Sequence, residues 1–482
     1  MNWIKIKNNT KINVMEIPTI TIEQLRLDFR ELKCRVIGFF GKNEFNNVRL
    51  YIILADDEKG ELYISTVLFS ENEKSYESLT SEFPQFHIFE REFYENFGIE
   101  PINHPWLKPL RINQDKYPFF SMDGEDVHEV AVGPIHAGVI EPGHFRFMCQ
   151  GEKVYNLEIM LGYQHKNVER LMLNPNNRLA ESICGDTVIG YNMAFSQLIE
   201  TLSDTGISKR AEIIRRIALE MERMAVHIGD MGAIAGDMAY LMGASVFGTT
   251  RTLVINTMLE ITGSRFGRGL IDVGGVNYDI TQELSDKIRT TLNKVLQIVD
   301  RTANVMLKNT SCISRMEQTG TVSKETAVAL GAVGMAARAS GVDIDSRFDF
   351  NDKWYSKVGI ENNIKHSGDV FSRFNLRYIE IKQSYQFIID LLEKLKENED
   401  GLKVQVGNLN PNLLAVSIVE GWRGEIVHIA ITDEQGNICR YKIKDPSFTN
   451  WYMLSMAVRN NGISDFPLCN KSFNLSYCGN DL

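Results

Sequence analysis

The chain of 482 residues contains no CxxC pair. Its seven cysteines (Cys34, Cys149, Cys184, Cys312, Cys439, Cys469 and Cys478) are scattered and odd in number. That pattern argues against a zinc ribbon or a disulfide framework and suits a reducing compartment. There is no Walker loop, no GxSxG, no HExxH and no GxGxxG, so phosphate-cradling, serine-elbow, zincin and nicotinamide chemistry have no local signature. No apolar run reaches a membrane-spanning length; the longest candidate, near 240–259, is broken by Arg251 and several threonines. The start, MNWIKIKNNTKINV, lacks the apolar core of a signal peptide. Prolines number only 12, which leaves room for long helices. Positive charge is not in excess: the formal net charge is −10, which disfavours nucleic acid or anionic lipid as the main partner.

What is present is an ordinary globular composition, 44% apolar and 24% charged. At roughly 150 residues per domain, two to four domains are expected. Strand-like runs at Cys34–Phe40, Val48–Leu54 and Glu61–Leu68 follow a helix over Thr21–Leu32. An aromatic, charged segment covers 83–111, and a turn-rich linker follows at 116–127. From 128 the character changes. His144–Cys149 and Val154–Tyr163 alternate as two strands around a Gly151-Glu152 turn. Helical spacing then covers 187–204, 208–230, 243–262, 280–309, 322–340 and 375–397. Strands return at Leu413–Val419, Ile426–Thr432 and Asn437–Lys444, then a helix at 447–460 and a polar tail. The fold class is α+β: a small N-terminal α+β domain (1–115), a linker (116–127) and a large, mainly helical domain with peripheral strands (128–482).

Several polar constellations can carry chemistry. The loop VGPIHAGVIEPGHFRF, 132–147, gathers His136, Glu141, His144 and Arg146. Such a loop can relay protons, ligate metal or meet a polar ligand, or its polar groups can simply satisfy one another. In LEIMLGYQHKNVER, 157–170, the residues Glu158, His165, Lys166 and Glu169 read as a solvated rim. In ESICGDTVIGYN, Cys184 precedes Gly-Asp-Thr at a helix mouth, where a thiol is either activated or buried and inert. Arg423, in VEGWRGEIVH, occupies a Gly-flanked turn and suits an anion or a polar cofactor edge; the bland alternative is a surface arginine. Glu220, Glu222, Arg223 and His227 read as ordinary pairs along one helix.

In chain order these segments resemble one family. EREFYENFGI…NHPWL, 90–107, resembles the 30-kDa-type subunit of respiratory complex I. GPIHAGVIEPGHFRF, LEIMLGYQHKNVE, GSRFGRGLIDVGGVNYD (263–279) and VEGWRGEIVH (419–428) resemble the large subunit of group 4 NiFe hydrogenases, sister to the 49-kDa-type subunit of complex I. The two units occur fused in formate-hydrogenlyase and hydrogenase-4 large subunits, so the resemblance spans nearly the whole chain and implies a NiFe hydrogenase large-subunit-like fold.

The resemblance also supplies a test. Active members hold nickel and iron with four thiolates from two CxxC motifs, because soft ligands suit these metals. Here the first motif falls on Cys184-Gly-Asp186-Thr187, and the second on Ser476 and Gly479, with Cys478 one place out of register. The histidine that follows the first motif falls on Tyr191. One thiol in register implies that no standard NiFe centre binds. Glu141 matches the family's proton-gate glutamate, and Arg423 the arginine above the metal. His136 and His144 match the loop that reaches quinone in complex I. The implied assignment is a peripheral-arm large subunit that couples electron transfer to ion translocation. Glu141, His136, His144 and Arg423 would act in the cavity, lined by Cys184, Asp186, Thr187, Ser476 and Cys478.

Implied partners are a small iron–sulfur subunit with a 4Fe-4S cluster, a ferredoxin-like iron–sulfur subunit, and antiporter-like and other membrane subunits. They would hold the chain at the cytoplasmic face of the cell membrane. The ligand stays open between a quinone and another small redox molecule. Family members are trimmed after nickel insertion; ending at Leu482, this chain has either been trimmed or never had an extension. Two alternatives stand beside this reading: a working hydrogenase in which Cys184 and Cys478 bind metal with help from Asp186, and a non-catalytic scaffold with a relic cavity.

Overall fold

The computed structural model describes residues 2–112, 117–136, 140–350, 352–356 and 362–482. The first residue of the expected linker, Lys116, and positions 137–139 of the histidine loop lie outside the described residues. An antiparallel sheet is built from Ile4–Ile6, Glu61–Phe69, Asn47–Asp56 and Arg35–Glu44, neighbours in that order. Its central strands read as near-continuous apolar runs because both faces are covered. One face packs Phe39 in a cluster with Phe29, Phe89 and Phe93 from the helices Ile22–Glu31 and His87–Phe97 and with Phe86 from the turn before the second helix. The other face packs Ile37, Tyr51, Ile53 and Ile64 against Val416, Ile418, Val427 and Ile429 of a second sheet.

That second sheet orders Ile438–Lys444, Glu425–Thr432, Leu413–Glu420 and Thr10–Asn13. The beginning of the chain therefore pairs with a strand about 400 residues away, Leu413 opposite Asn13. Thr10–Asn13 was not anticipated, since four mixed residues give no period. A buried ion pair, Arg35 to Glu425 at 2.7 Å, with Lys444 on the same carboxylate at 2.7 Å, joins the two sheets. Arg35 also pairs with Asp57 at 2.7 Å, so two cations meet two carboxylates, the compensation that buried charges require.

A three-stranded meander follows: Val127–Val132, His144–Gln150 and Lys153–Met160. Val127–Val132 was not anticipated either. The helical body centres on Lys209–Asp237, which packs against Leu241–Thr262 and Val370–Lys396. Ser208 caps that central helix by accepting from the Ala211 N–H. Val188–Leu202 is buried nearly all round, so its sequence shows little amphipathic contrast. The α+β expectation is borne out. No helix among the described residues is long and apolar enough to cross a membrane.

Three expectations are corrected. The helix anticipated over 322–340 is two short helices, Lys324–Ala329 and Gly334–Ala339. Gly334 lies at φ +66°, and a Cβ there would sit 2.1 Å from the Arg423 carbonyl oxygen. Only glycine lets the two backbones approach this closely. The solvated rim is largely internal: Glu158 is buried and pairs with Lys108, while Glu169 pairs with Arg440 at 3.0 Å and Lys442 at 2.8 Å. The polar tail is folded into Phe466–Phe473 and Tyr477–Asp481 and is mostly buried. Asp481 accepts the Gln164 N–H at 2.9 Å, and the Leu482 carbonyl accepts the Lys166 N–H at 2.9 Å.

Candidate functional site

Cys184 lies in the turn that enters the helix Val188–Leu202 and is buried. Its Sγ is 3.0 Å from Asp186 Oδ1, 3.2 Å from Ser476 Oγ and 3.5 Å from Arg423 Nη1. Thr187 precedes the helix but does not cap it. Its hydroxyl donates to Asp186 Oδ1 at 3.0 Å and accepts from the Trp422 indole at 3.1 Å and Arg423 Nη1 at 3.2 Å. Arg423 comes from the tight Gly421–Gly424 turn between two strands. It holds Asp186 in a bidentate pair at 2.7 and 2.6 Å, lies 3.9 Å over the Trp422 ring and donates to the Asn474 carbonyl at 2.5 Å. Burial alone would raise the Asp186 carboxyl, but the Arg423 charge prevails and holds it at about 2. The Asp186 side chain is 43% exposed, so water screens this pair in part.

The C-terminal helix closes the other side. Ser476 caps it by accepting from the Gly479 N–H at 2.8 Å. Its hydroxyl also lies 3.5 Å from Cys478 Sγ, so Ser476 stands between two thiols. Hydrogen bonding between the thiols favours the proton on Cys184 and the thiolate at Cys478: the first is pushed up, with burial adding to the effect, and the second is drawn down. The Cys478 backbone N–H donates to Glu141 Oε2 at 3.1 Å. Glu141 is thereby tied to the cluster.

Behind Gly479 stands Asp445. A Cβ on Gly479 would meet Asp445 Oδ2 at 2.3 Å. The same oxygen accepts a short hydrogen bond from the Tyr191 hydroxyl, while Asp445 Oδ1 accepts the Ser447 N–H at 2.6 Å and caps the helix Pro446–Val458. Burial, reinforced by Asp445, raises the Tyr191 phenol well above its ordinary range, so it acts as a donor.

The structure thus brings together Cys184, Asp186, Thr187, Ser476, Cys478, Arg423 and Glu141. His136 and His144 stay outside this contact set. The His136 ring centroid is 6.1 Å from that of Tyr477. The His144 ring nitrogen Nδ1 lies 3.3 Å from the Gly133 carbonyl and its ring faces Phe119. Burial lowers both imidazoles below the ordinary histidine range, and each has a buried Nε2 with no partner among the described residues.

A four-thiolate metal centre does not fit these residues. The first position is a thiol, but the second is a threonine hydroxyl already committed to Asp186, Trp422 and Arg423. The third is a hydroxyl committed to capping. The fourth has no side chain, and its volume belongs to the Asp445 carboxylate. What the arrangement offers instead is hydrogen-bonded thiols framed by three carboxylates, one guanidinium and one phenol, a set able to hold and pass protons.

A family model described as "respiratory-chain NADH dehydrogenase, 49 Kd subunit" matches residues 235–409 and 401–481. The chain belongs to this 49-kDa subunit family. A second model, the 30 Kd subunit of the same enzyme, matches residues 23–121, so the chain carries both types fused. Formate hydrogenlyase subunit 5 of Escherichia coli K12 is 25% identical, over 90% of this chain and 81% of that protein. An NADH-quinone oxidoreductase subunit of Carboxydothermus hydrogenoformans is 29% identical, over 70% of this chain and 93% of its own length. Among solved structures, a chain of the membrane-bound sulfane sulfur reductase, an archaeal respiratory membrane complex, superposes with TM-score 0.69 at 22% identity. That match covers 75% of this chain and 100% of the other, and shows a shared fold. The 49-kDa family of complex I and the large subunits of group 4 hydrogenases thus meet in this chain.

Asp445, Trp422, Asn474 and Asp230 also belong to the site, although the sequence does not single them out. Asp445 carried a signal, since Asp-Pro-Ser before an apolar run is a helix start, but nothing local aims its second oxygen at residue 479. Asn474 Nδ2 donates to Asp230 Oδ1 at 2.8 Å, and Asp230 pairs with Arg377 at 2.8 Å. Arg377 donates to His227 Nδ1 at 3.1 Å, and His227 Nε2 lies 2.8 Å from Glu380. An arginine only donates, so His227 must accept at Nδ1 and carry its proton on Nε2. Glu380 also meets Arg338, which joins Glu420 and Asp345 at 3.2 Å each. Of the residues expected to pair along one helix, Glu220, Arg223 and His227 belong to a buried ionic network, whereas Glu222 accepts the Ile189 and Gly190 N–H groups.

Proposed function

We propose that this chain is the peripheral-arm large subunit of a membrane-bound, complex I-like oxidoreductase related to group 4 hydrogenases, working without a standard NiFe centre. Partner subunits hold it at the cytoplasmic face of the membrane: a small iron–sulfur subunit bearing a 4Fe-4S cluster, a ferredoxin-like subunit, and antiporter-like and other membrane subunits. Electron transfer at the rim of its cavity is coupled to ion translocation.

The observation that supports this reading is that the Asp445 carboxylate fills the space beside Gly479 while Glu141 and Arg423 both contact the thiol cluster. In this reading Glu141 accepts and releases protons beside Cys478. His136 and His144, on the same loop, extend the proton route outward. Arg423 presents the positive charge for an anionic or polar ligand, a quinone or another small redox molecule. The purified complex tests it: Glu141→Gln and Arg423→Lys should each depress coupled ion pumping more than tenfold. Full electron transfer and pumping in both variants would leave only a relic scaffold.

The juxtaposed thiols favour one second reading, a hydrogenase with altered ligation. Hydrogen turnover abolished by Cys184→Ser would support it.

A further inference from the structure

All seven cysteines are free thiols, and two of them, Cys184 and Cys478, meet inside the candidate site. Both are buried, at 1% and 6% exposure. They arrive from elements far apart in the chain: Cys184 from the turn entering Val188–Leu202, Cys478 from the short helix Tyr477–Asp481. Their sulfurs are hydrogen-bonded to each other and share the Ser476 hydroxyl, at 3.2 and 3.5 Å. With no four-thiolate centre to bind them, the two sulfurs have each other as their nearest soft partners.

The surroundings suit the formation of a sulfur–sulfur bond. A thiolate is the reactive species, and cations and bases beside a thiol favour it. Arg423 Nη1 lies 3.5 Å from Cys184 Sγ. The Glu141 carboxylate meets Cys478 twice, at its backbone N–H at 3.1 Å and at its thiol. Burial keeps bulky thiols and disulfides away, so the pair reacts with itself rather than with a reductant from solution. A disulfide needs the sulfurs at about 2.05 Å, so side-chain rotation must shorten the present contact.

We propose, resting on the functional reading above, that Cys184 and Cys478 form a reversible dithiol–disulfide couple, the cavity's own two-electron carrier. On oxidation the two S–H bonds break and one S–S bond forms, releasing two protons and two electrons. Glu141 takes the Cys478 proton. The Ser476 hydroxyl passes the Cys184 proton toward the same carboxylate once Glu141 has released the first. The electrons leave one at a time to an iron–sulfur cluster of the partner subunit, and the reverse flow restores both thiols. One-electron steps outside the cavity thus become a two-electron, proton-coupled step within it.

The test uses the intact purified complex, poised anaerobically with mediators at a series of potentials, quenched in acid and alkylated in denaturant. Peptide mass spectrometry should find the peptides of Cys184 and Cys478 joined at oxidising potentials and separately alkylated at reducing ones. The joined-to-separate ratio should change tenfold per about 30 mV, as a two-electron couple requires. In Cys184→Ser, Cys478 should be alkylated at every potential. Two thiols alkylated throughout overturn the proposal, as does a bond that persists at every potential or joins either residue to another cysteine. Should Cys184→Ser fail to fold, the wild-type titration decides. Nickel measured on the same preparation separates the two failures. Unlinked thiols with about one nickel per chain overturn the functional reading as well, and unlinked thiols without nickel overturn this inference alone.

Discussion

Gly479 and Asp445 occupy one volume: a Cβ on the glycine would lie 2.3 Å from the aspartate Oδ2, which is already hydrogen-bonded to Tyr191. No side chain enters position 479 unless the carboxylate moves. Gly479→Ala should therefore cost about 1–3 kcal/mol of unfolding free energy. In an Asp445→Ala background the same change should cost markedly less, and a double-mutant cycle in urea measures the difference. Equal costs in both backgrounds would show that the two residues do not compete for space.

The Arg423–Asp186 pair has a pH signature. The folded Asp186 carboxyl sits at about 2, below its ordinary range near 4. A depressed carboxylate contributes stability that is present above the unfolded value and lost as pH falls toward the folded one. The chain should lose this contribution between about pH 4 and 2. Arg423→Gln should remove it at neutral pH, by about 0.5–1 kcal/mol given the exposure of Asp186. Acid-unfolding curves that superpose for wild type and variant would contradict this.

Glu222 behaves in the opposite sense. Its carboxyl accepts the Ile189 and Gly190 N–H groups at 2.8 and 3.2 Å, yet burial pushes it up to about 8. A raised carboxyl contributes stability below the unfolded value, lost progressively as pH rises toward 8. Glu222→Gln should flatten the stability profile between about pH 4.5 and 8 and gain on the order of 1 kcal/mol at the alkaline end. An unchanged slope in guanidinium titrations across that range would refute the assignment.

The His227 network should be intolerant of single deletions. Glu380→Ala strands the His227 N–H and takes from Arg338 one of its three carboxylates, in a site that is almost fully buried. The expected loss is about 3–5 kcal/mol, since a broken buried pair strands its partner. Nitrogen NMR of the wild type should show His227 as the neutral Nε2–H tautomer; an imidazolium signature at neutral pH would be inconsistent with the Arg377 donor at Nδ1.

Much of the fold was legible because long periodic segments carry their own signal. The strand Asn47–Asp56 and the helix Lys209–Asp237 fall where residue spacing puts them. Thr10–Asn13 was not, because its strand exists only through pairing with Leu413–Val416. The break at Gly334 was hidden for the same reason, as it answers the approach of Arg423 from far along the chain. At the site, Cys184, Glu141, Arg423 and Ser476 were reached through motif order, and their convergence required the fold. Cys478, one place out of register in the motif, still lies 3.5 Å from the hydroxyl that Cys184 also meets at 3.2 Å. Asp445 stayed invisible as a site residue because one oxygen performs an ordinary capping task while the other fills position 479.

The metal content of the intact purified complex is the most direct test of a chain working without a standard NiFe centre. Elemental analysis by mass spectrometry, normalised to this chain, should find nickel far below stoichiometric amounts while iron from partner clusters is retained. About one nickel per chain, lost on Cys184→Ser, would contradict it.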